Sequence, residues 1–255
     1  MTPEDELEIS KEELPQTLPI LSLRNTVLFP GVVIPITAPR DKSIRLIKDA
    51  NNFNKLIGVV AQKDESVEDP KLKDIYNIGT VAKIIKVLQM PDGNTTVIIQ
   101  GKKRFEIERV ISETPYITSN IKDNPEENPG KENSEFNAII DSIKDLSLEI
   151  IKRNPNIPSE ASFAIKNIES NSFLINFVAS NLNLQIFEKQ ELLEIGDARS
   201  KLEKLNTYIE KETSLISVEK KIRGRVKNQM EKIFSITQNK RIKVLSLDRL
   251  DIIEN

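Results

Sequence analysis

The chain has 255 residues, 38% of them hydrophobic and 30% charged, with a formal net charge of -2. That is ordinary for a globular protein and long enough for one large domain or two modest ones. It contains no Cys and no His, which excludes disulfides, thiolate metal sites and the Ser-His and Cys-His nucleophile pairs, so no catalytic residue, metal or cofactor is expected. Charges this nearly balanced set up no global field towards nucleic acid or anionic lipid.

The opening residues 1–15 are acidic and lack an apolar core, so they read as a solvated tail rather than a signal peptide. No apolar run reaches the ~18–20 residues that a membrane span requires, and a cytoplasmic protein is expected. From Leu18 to about Lys122 the apolar residues come in short runs broken by Gly, Pro and Asn, the pattern of strands. The runs are Leu18–Leu23, Val32–Thr37, Lys55–Gln62, Gly79–Gln89, Thr95–Gly101, Phe105–Ser112 and Tyr116–Ile121. Several are rich in Val and Ile, whose branched Cβ suits a pleated sheet. Met90-Pro91-Asp92-Gly93-Asn94-Thr95 reads as a hairpin turn, because Pro presets φ and Asp-Gly tolerates positive φ. A single helix interrupts the strands at Arg40–Asn51, with Ile44, Leu46 and Ile47 on its apolar side and Asp41 or Ser43 available to its first free amides.

Residues 123–133 (DNPEENPGKEN) are polar and proline-bearing, and a domain boundary is expected there. Beyond it the period turns helical. Phe136, Ile139, Ile140, Ile143, Leu146 and Ile150 share one face, Pro158-Ser159-Glu160 reads as a helix start, and Phe173, Leu174, Phe177, Val178 and Leu182 form another stripe. Asp197, following Gly196, is a plausible N-cap for a long helix carrying Leu202, Leu205, Ile209, Ile216, Ile222, Val226 and Met230. If unbroken to Lys232 it spans about 36 residues, or ~54 Å, more than a compact bundle has to cover. Part of it then projects as a spacer or coiled-coil arm, or serves as a long bundle helix with one wet face. The divisions expected are therefore a tail at 1–15, a β-rich part at 16–122, a linker at 123–133, a helical bundle at 134–232 and a divergent tail at 233–255.

The chain holds neither a GxxxxGK[ST] phosphate loop nor a GxSxG elbow. Its Ser and Lys residues are abundant and read as surface residues, so the chain by itself is not expected to be an enzyme. Lys220, Lys221, Arg223, Arg225 and Lys227 form the strongest basic cluster, but they spread around a helix beside Glu219 and Glu231. Aromatics total 5% with no Trp, a poor supply of stacking platforms, so nucleic acid is not an expected partner.

Leu18-Pro19-Ile20-Leu21-Ser22-Leu23-Arg24-Asn25-Thr26-Val27-Leu28-Phe29-Pro30-Gly31 closely resembles the opening strand and turn of Lon proteases. Further blocks match in the same order: Gly58–Lys63, Ile78–Ile84 through Met90–Gly93, and Gln100–Phe105. Glu191-Leu192-Leu193-Glu194 and Val218–Lys232 look like the family's helical part, so the resemblance covers about Leu18 to Lys232. It implies an α+β fold: an N-terminal PUA-like β pseudo-barrel with one helix, then a helical bundle ending in a long helix. It also implies a role in protein quality control, capturing unfolded or damaged polypeptides and helping Lon subunits assemble. In the family an ATPase domain and a Ser-Lys protease domain follow.

After Lys232 the match stops, and a truncated reading frame is the expected cause. A standalone LON-domain adaptor, an RNA-binding PUA-like protein and an enzyme using Ser and Lys are the alternatives. A recognition domain of this kind needs exposed apolar patches or open strand edges. Val27, Leu28, Phe29, Val32 and Val33, around the Phe29-Pro30-Gly31 turn, are the candidate substrate contacts, and the competing reading makes them ordinary barrel core.

Overall fold

Alternating branched residues give the first half six strands, and these make one mixed sheet. The fold is taken from a computed structural model describing residues 12–38, 40–90, 95–127, 134–153 and 160–250, with the backbone alone from residue 231 on. The strands are β1 (Thr17–Leu23), β2 (Val33–Ala38), β3 (Leu56–Ala61), β4 (Ile78–Gln89), β5 (Thr95–Ser112) and β6 (Thr118–Asp123). Their order is β2-β5-β4-β3-β1-β6, and β5 also pairs with β6. The sheet therefore closes on itself through β5 and leaves β2 as a flap held by β5 alone. Helix α1 (Asp41–Asn52) lies in the connection from β2 to β3, and β1 and β3 run parallel with Ile20 opposite Gly58.

Strand β5 departs from expectation. Thr95–Gly101 and Phe105–Ser112 are one continuous strand of 18 residues. The run Gly101-Lys102-Lys103-Arg104 reads as a break, yet its charges are matched in place. Lys102 pairs with Glu12 at 3.5 Å, Lys103 pairs with Asp123 at 3.0 Å, and Arg104 is buried. Register shifts between Thr80 and Ala82 and between Ile107 and Arg109 bend the ladders. Such bulges increase local twist, which lets the first half of β5 hold β2 while its second half holds β6.

Smaller differences concern ends. The N-cap of α1 is Arg40, which makes no side-chain cap hydrogen bond, and Asp41 lies in the first turn. Tyr116 precedes β6 and instead donates its hydroxyl to Asp49 Oδ2 at 3.0 Å. The expected hairpin residues 91–94 lie outside the described residues, although the flanking strands pair with Gln89 opposite Thr95.

The core lies in two clusters. One packs α1 residues Leu46, Ile47 and Ala50 against Leu21, Leu23, Leu28, Ile57, Ile84, Val97 and Ile99. The other gathers Leu18, Ile20, Val60, Ile75, Val81 and Ile121 around Phe105. The second half of the chain is helical: α2 (Ser134–Arg153), α3 (Glu160–Lys166), α4 (Asn171–Asn181), α5 (Ile186–Glu194) and α6 (Ala198–Leu250). Phe136, Ile140, Ile143 and Ile150 are buried on α2 as their spacing predicts, whereas Phe163 on α3 is exposed. Pro158 and Ser159 lie outside the described residues. Ser170 caps α4, accepting from Phe173 N at 3.0 Å. Asp197 caps α6 as expected, accepting from Ser200 N at 2.8 Å, and the bonds from Ser200 hold its carboxyl below the usual range.

Helix α6 extends to Leu250, well past the Lys232 at which the family-like pattern stops. The chain divides into two compact units, Met1–Ile209 and Glu210–Asn255. The expected boundary at 123–133 lies inside the first unit, and residues 128–133 are outside the described residues.

Candidate functional site

Among the described residues no group of His, Cys, Asp or Glu could hold a metal ion, and no helix is long and apolar enough to cross a membrane. The features that invite a function are instead an open strand edge and the polar hub that anchors its start.

The hub begins at the Phe29-Pro30-Gly31 turn. Gly31 has φ 80, a conformation that costs Gly little and a residue with Cβ more. A Cβ on Gly101 would sit 2.3 Å from Phe29 O, so only Gly lets β5 pass this close to the turn. Val27 (2%), Leu28 (2%), Phe29 (0%) and Val32 (5%) are core residues; Val33, at 52%, is the one of the five candidates that is exposed. The turn is an anchor because its apolar side chains fill the space between sheet and helices.

Beneath Phe29 lies the buried Lys201, its Nζ 5.7 Å from the ring centroid. Lys201 donates to Asn176 Oδ1 at 2.7 Å and pairs with Glu126 at 3.2 Å. Burial lowers its pKa, while Glu126 opposes that shift and Arg104 reinforces it. Arg104 is a second buried cation. Its Nη1 donates to Leu193 O at 2.7 Å and Ile195 O at 2.6 Å, and its Nε donates to Asn124 O at 3.1 Å. Glu127 completes the joint: its N–H donates to Gly196 O at 2.8 Å, and its carbonyl accepts from Ala198 N at 3.1 Å. Residues 124–127 are thus stapled between the barrel and the α5–α6 corner. Sequence reasoning missed this hub, since Lys201 falls among the Lys residues read as surface and Arg104 lies between two expected strands. No local signal marks Arg104, which ends the charged run Lys102-Lys103-Arg104.

From the hub the chain enters β2. Gly101 N donates to Val32 O at 2.9 Å. With Val33 opposite Gln100 and Ala38 opposite Thr95, antiparallel alternation directs the backbone of Ile34, Ile36 and Ala38 towards β5. The backbone of Val33, Pro35 and Thr37 points away, and all three residues are exposed. Among the described residues nothing bonds these outward groups. A groove of about 930 Å³ runs alongside, walled by Ile34–Ala38 on one side and Leu21–Thr26 on the other.

The second unit offers a different surface. Leu215, Val218, Ile222, Val226 and Met230 are exposed at helical spacing, as are Lys221, Arg223 and Arg225. The side chains of Lys220 and Lys227 lie outside the described residues.

A sheet closed through one long strand and followed by a cluster of helices defines the class, an α+β domain also seen in two solved structures. The N-terminal domain of the Mycobacterium avium complex Lon protease superposes with a TM-score of 0.63 at 22% identity, covering 76% of this chain and 98% of that one. The Lon N-terminal domain protein from Xanthomonas campestris gives 0.51 at 16% identity, covering 75% and 97%. The family follows from sequence: this chain belongs to the LON substrate-binding domain family, whose model, described as the ATP-dependent protease La (LON) substrate-binding domain, matches residues 17–211. A Lon protease of Flavobacterium johnsoniae is 58% identical over 231 residues, and that of Cytophaga hutchinsonii is 43% identical over 231. Both matches cover 91% of this chain but 28% of the relative. The chain therefore spans little more than a quarter of the curated relatives it matches.

Proposed function

We propose that this chain is the substrate-recognition and assembly part of a Lon-type ATP-dependent serine protease acting in cytoplasmic protein quality control. Its partners on this reading are unfolded or damaged polypeptides and other Lon subunits, and it cleaves nothing itself. The observation that carries the reading is the family match over residues 17–211. The open edge of β2 supports it, since unfolded chains differ from folded ones in having backbone groups free to complete such an edge. Single contacts of this kind are weak, and copies ringed around one entrance would gain by avidity.

Two measurements test it. The full 255-residue chain retains a denatured, reduced model protein on a column and lets the native form of the same protein pass. Gel filtration of the full chain beside a version ending at Lys232 reads the contribution of the last residues to self-association. Equal retention of native and denatured protein would refute substrate recognition.

A further inference from the structure

The groove beside β2 carries two cations. Arg24 is exposed, and among the described residues no hydrogen bond or ion pair engages it. Arg40 Nη2 donates to Gln62 Oε1 at 3.0 Å and to Val67 O at 3.5 Å, and its Nε has no partner. Burial, reinforced by the charge of Arg24, holds the Arg40 guanidinium below its ordinary pKa, and Asp69 and Glu68 compensate in part. Asp69 is already committed to Lys42 at 2.8 Å. Of the acids, Glu65 alone lines the groove. Arg40 also lines an adjoining cavity of about 270 Å³, which shares Leu21, Ser22 and Ser43 with the groove.

We propose that the groove takes an extended polypeptide segment, added to the free edge of β2 as a further strand, with one acidic side chain set between Arg24 and Arg40. This rests on the reading of the chain as a polypeptide-recognition domain and names the class of segment it takes. The outward groups repeat every second residue, which is the strand period; a helix keeps its own backbone groups engaged and cannot meet them. Val33 and Thr37 each offer a donor and an acceptor, while Pro35 offers its carbonyl alone. The missing donor at the centre of the edge lowers the gain from pairing two copies of this chain edge to edge. The carboxylate follows from charge: two guanidiniums face a groove with a single acid, and a planar carboxylate matches their donor geometry.

The experiment uses the full chain and fluorescence anisotropy with three labelled ten-residue peptides of alternating Val and Thr. One carries a central Glu and blocked ends, the second carries Gln in its place, and the third carries Gln and a free C-terminal carboxylate. The Glu peptide binds about tenfold more tightly than the blocked Gln peptide, the worth of a charge-assisted hydrogen bond. Arg24→Gln abolishes that preference. Thr37→Pro removes an outward donor without touching the β2–β5 ladder, and it weakens both blocked peptides about tenfold at an unchanged melting temperature. Val33→Pro makes the same deletion at the other end of the edge, should Thr37→Pro lower stability.

Equal binding of the Glu and Gln peptides overturns the proposal. So does undiminished binding by both proline variants, or preference for the free C-terminus over the internal Glu. Retention of denatured model protein, measured alongside, separates the two levels. If it persists while the peptides fail, only the strand-addition site is lost; if it also fails, so does the recognition reading.

Discussion

Two consecutive stretches of similar apolar composition, residues 27–32 and residues 33–37, differ in burial: the first is enclosed almost throughout, the second only on its Ile34 and Ile36 side. In the first, Val27, Leu28, Phe29 and Val32 are all buried, and Phe29 rests on a lysine with no exposed surface. In the second, Val33, Pro35 and Thr37 face solvent with their outward backbone groups unmet. The difference lies in neighbours rather than hydrophobicity. Helices and linker close over the turn, whereas nothing among the described residues closes over the edge. One stretch should therefore govern stability and the other binding.

The sharpest test is Phe29→Ala, which empties a fully buried position and costs about 3–5 kcal/mol. In thermal denaturation it lowers the melting temperature by roughly 10 °C. Glu126→Gln leaves Lys201 buried beside Arg104 without its counter-charge, at a cost of about 3 kcal/mol near neutral pH. The pH dependence has a definite sign. Burial depresses the folded pKa of Lys201, so the charged lysine favours unfolding and stability recovers as pH rises from that depressed value towards the usual ~10.4. Urea titrations of Glu126→Gln at neutral pH and near pH 10 thus differ, the variant's deficit shrinking in the alkaline series; an undiminished deficit contradicts the charge argument. Asp197→Ala removes the cap of the helix that carries Lys201 and costs about 1 kcal/mol by the same assay. Val33→Asp should shift unfolding by no more than about 0.5 kcal/mol, as an exposed substitution does, while reducing retention of denatured protein. If Phe29→Ala leaves the melting temperature in place, or Val33→Asp moves it like a core change, the contrast fails.

The order of elements was legible because period-2 and period-3.6 patterns leave direct traces in spacing. Seven apolar runs mark the six strands, two of them being the halves of β5, and α1 and the Asp197 cap are also located from residues alone. Burial was not legible at the turn, since Val32 and Val33 are identical in type and only register with β5 separates them. Nor was it legible along α6. Its stripe is buried at Leu202, Leu205 and Ile209, then exposed at Ile222, Val226 and Met230 with no change in spacing. Lys201 was misjudged because long cations are usually surface residues, and Arg104 fell between two expected strands. What holds them inside is a set of carbonyls and one carboxylate drawn from segments 20 to 91 residues away, which no local pattern encodes.

The closure of the sheet also has a consequence for biosynthesis. Thr17 on β1 meets Asn120 on β6 across 103 residues of chain. A ribosome adding ~5–20 residues per second releases the first strand roughly 5–20 s before its closing partner exists. During that interval the flank of β1 that pairs with β6 has no partner, and only β3 can pair with β1. Limited proteolysis of ribosome-stalled chains should then find the first strand cleavable when translation halts before β6, and resistant once Asp123 has cleared the exit tunnel.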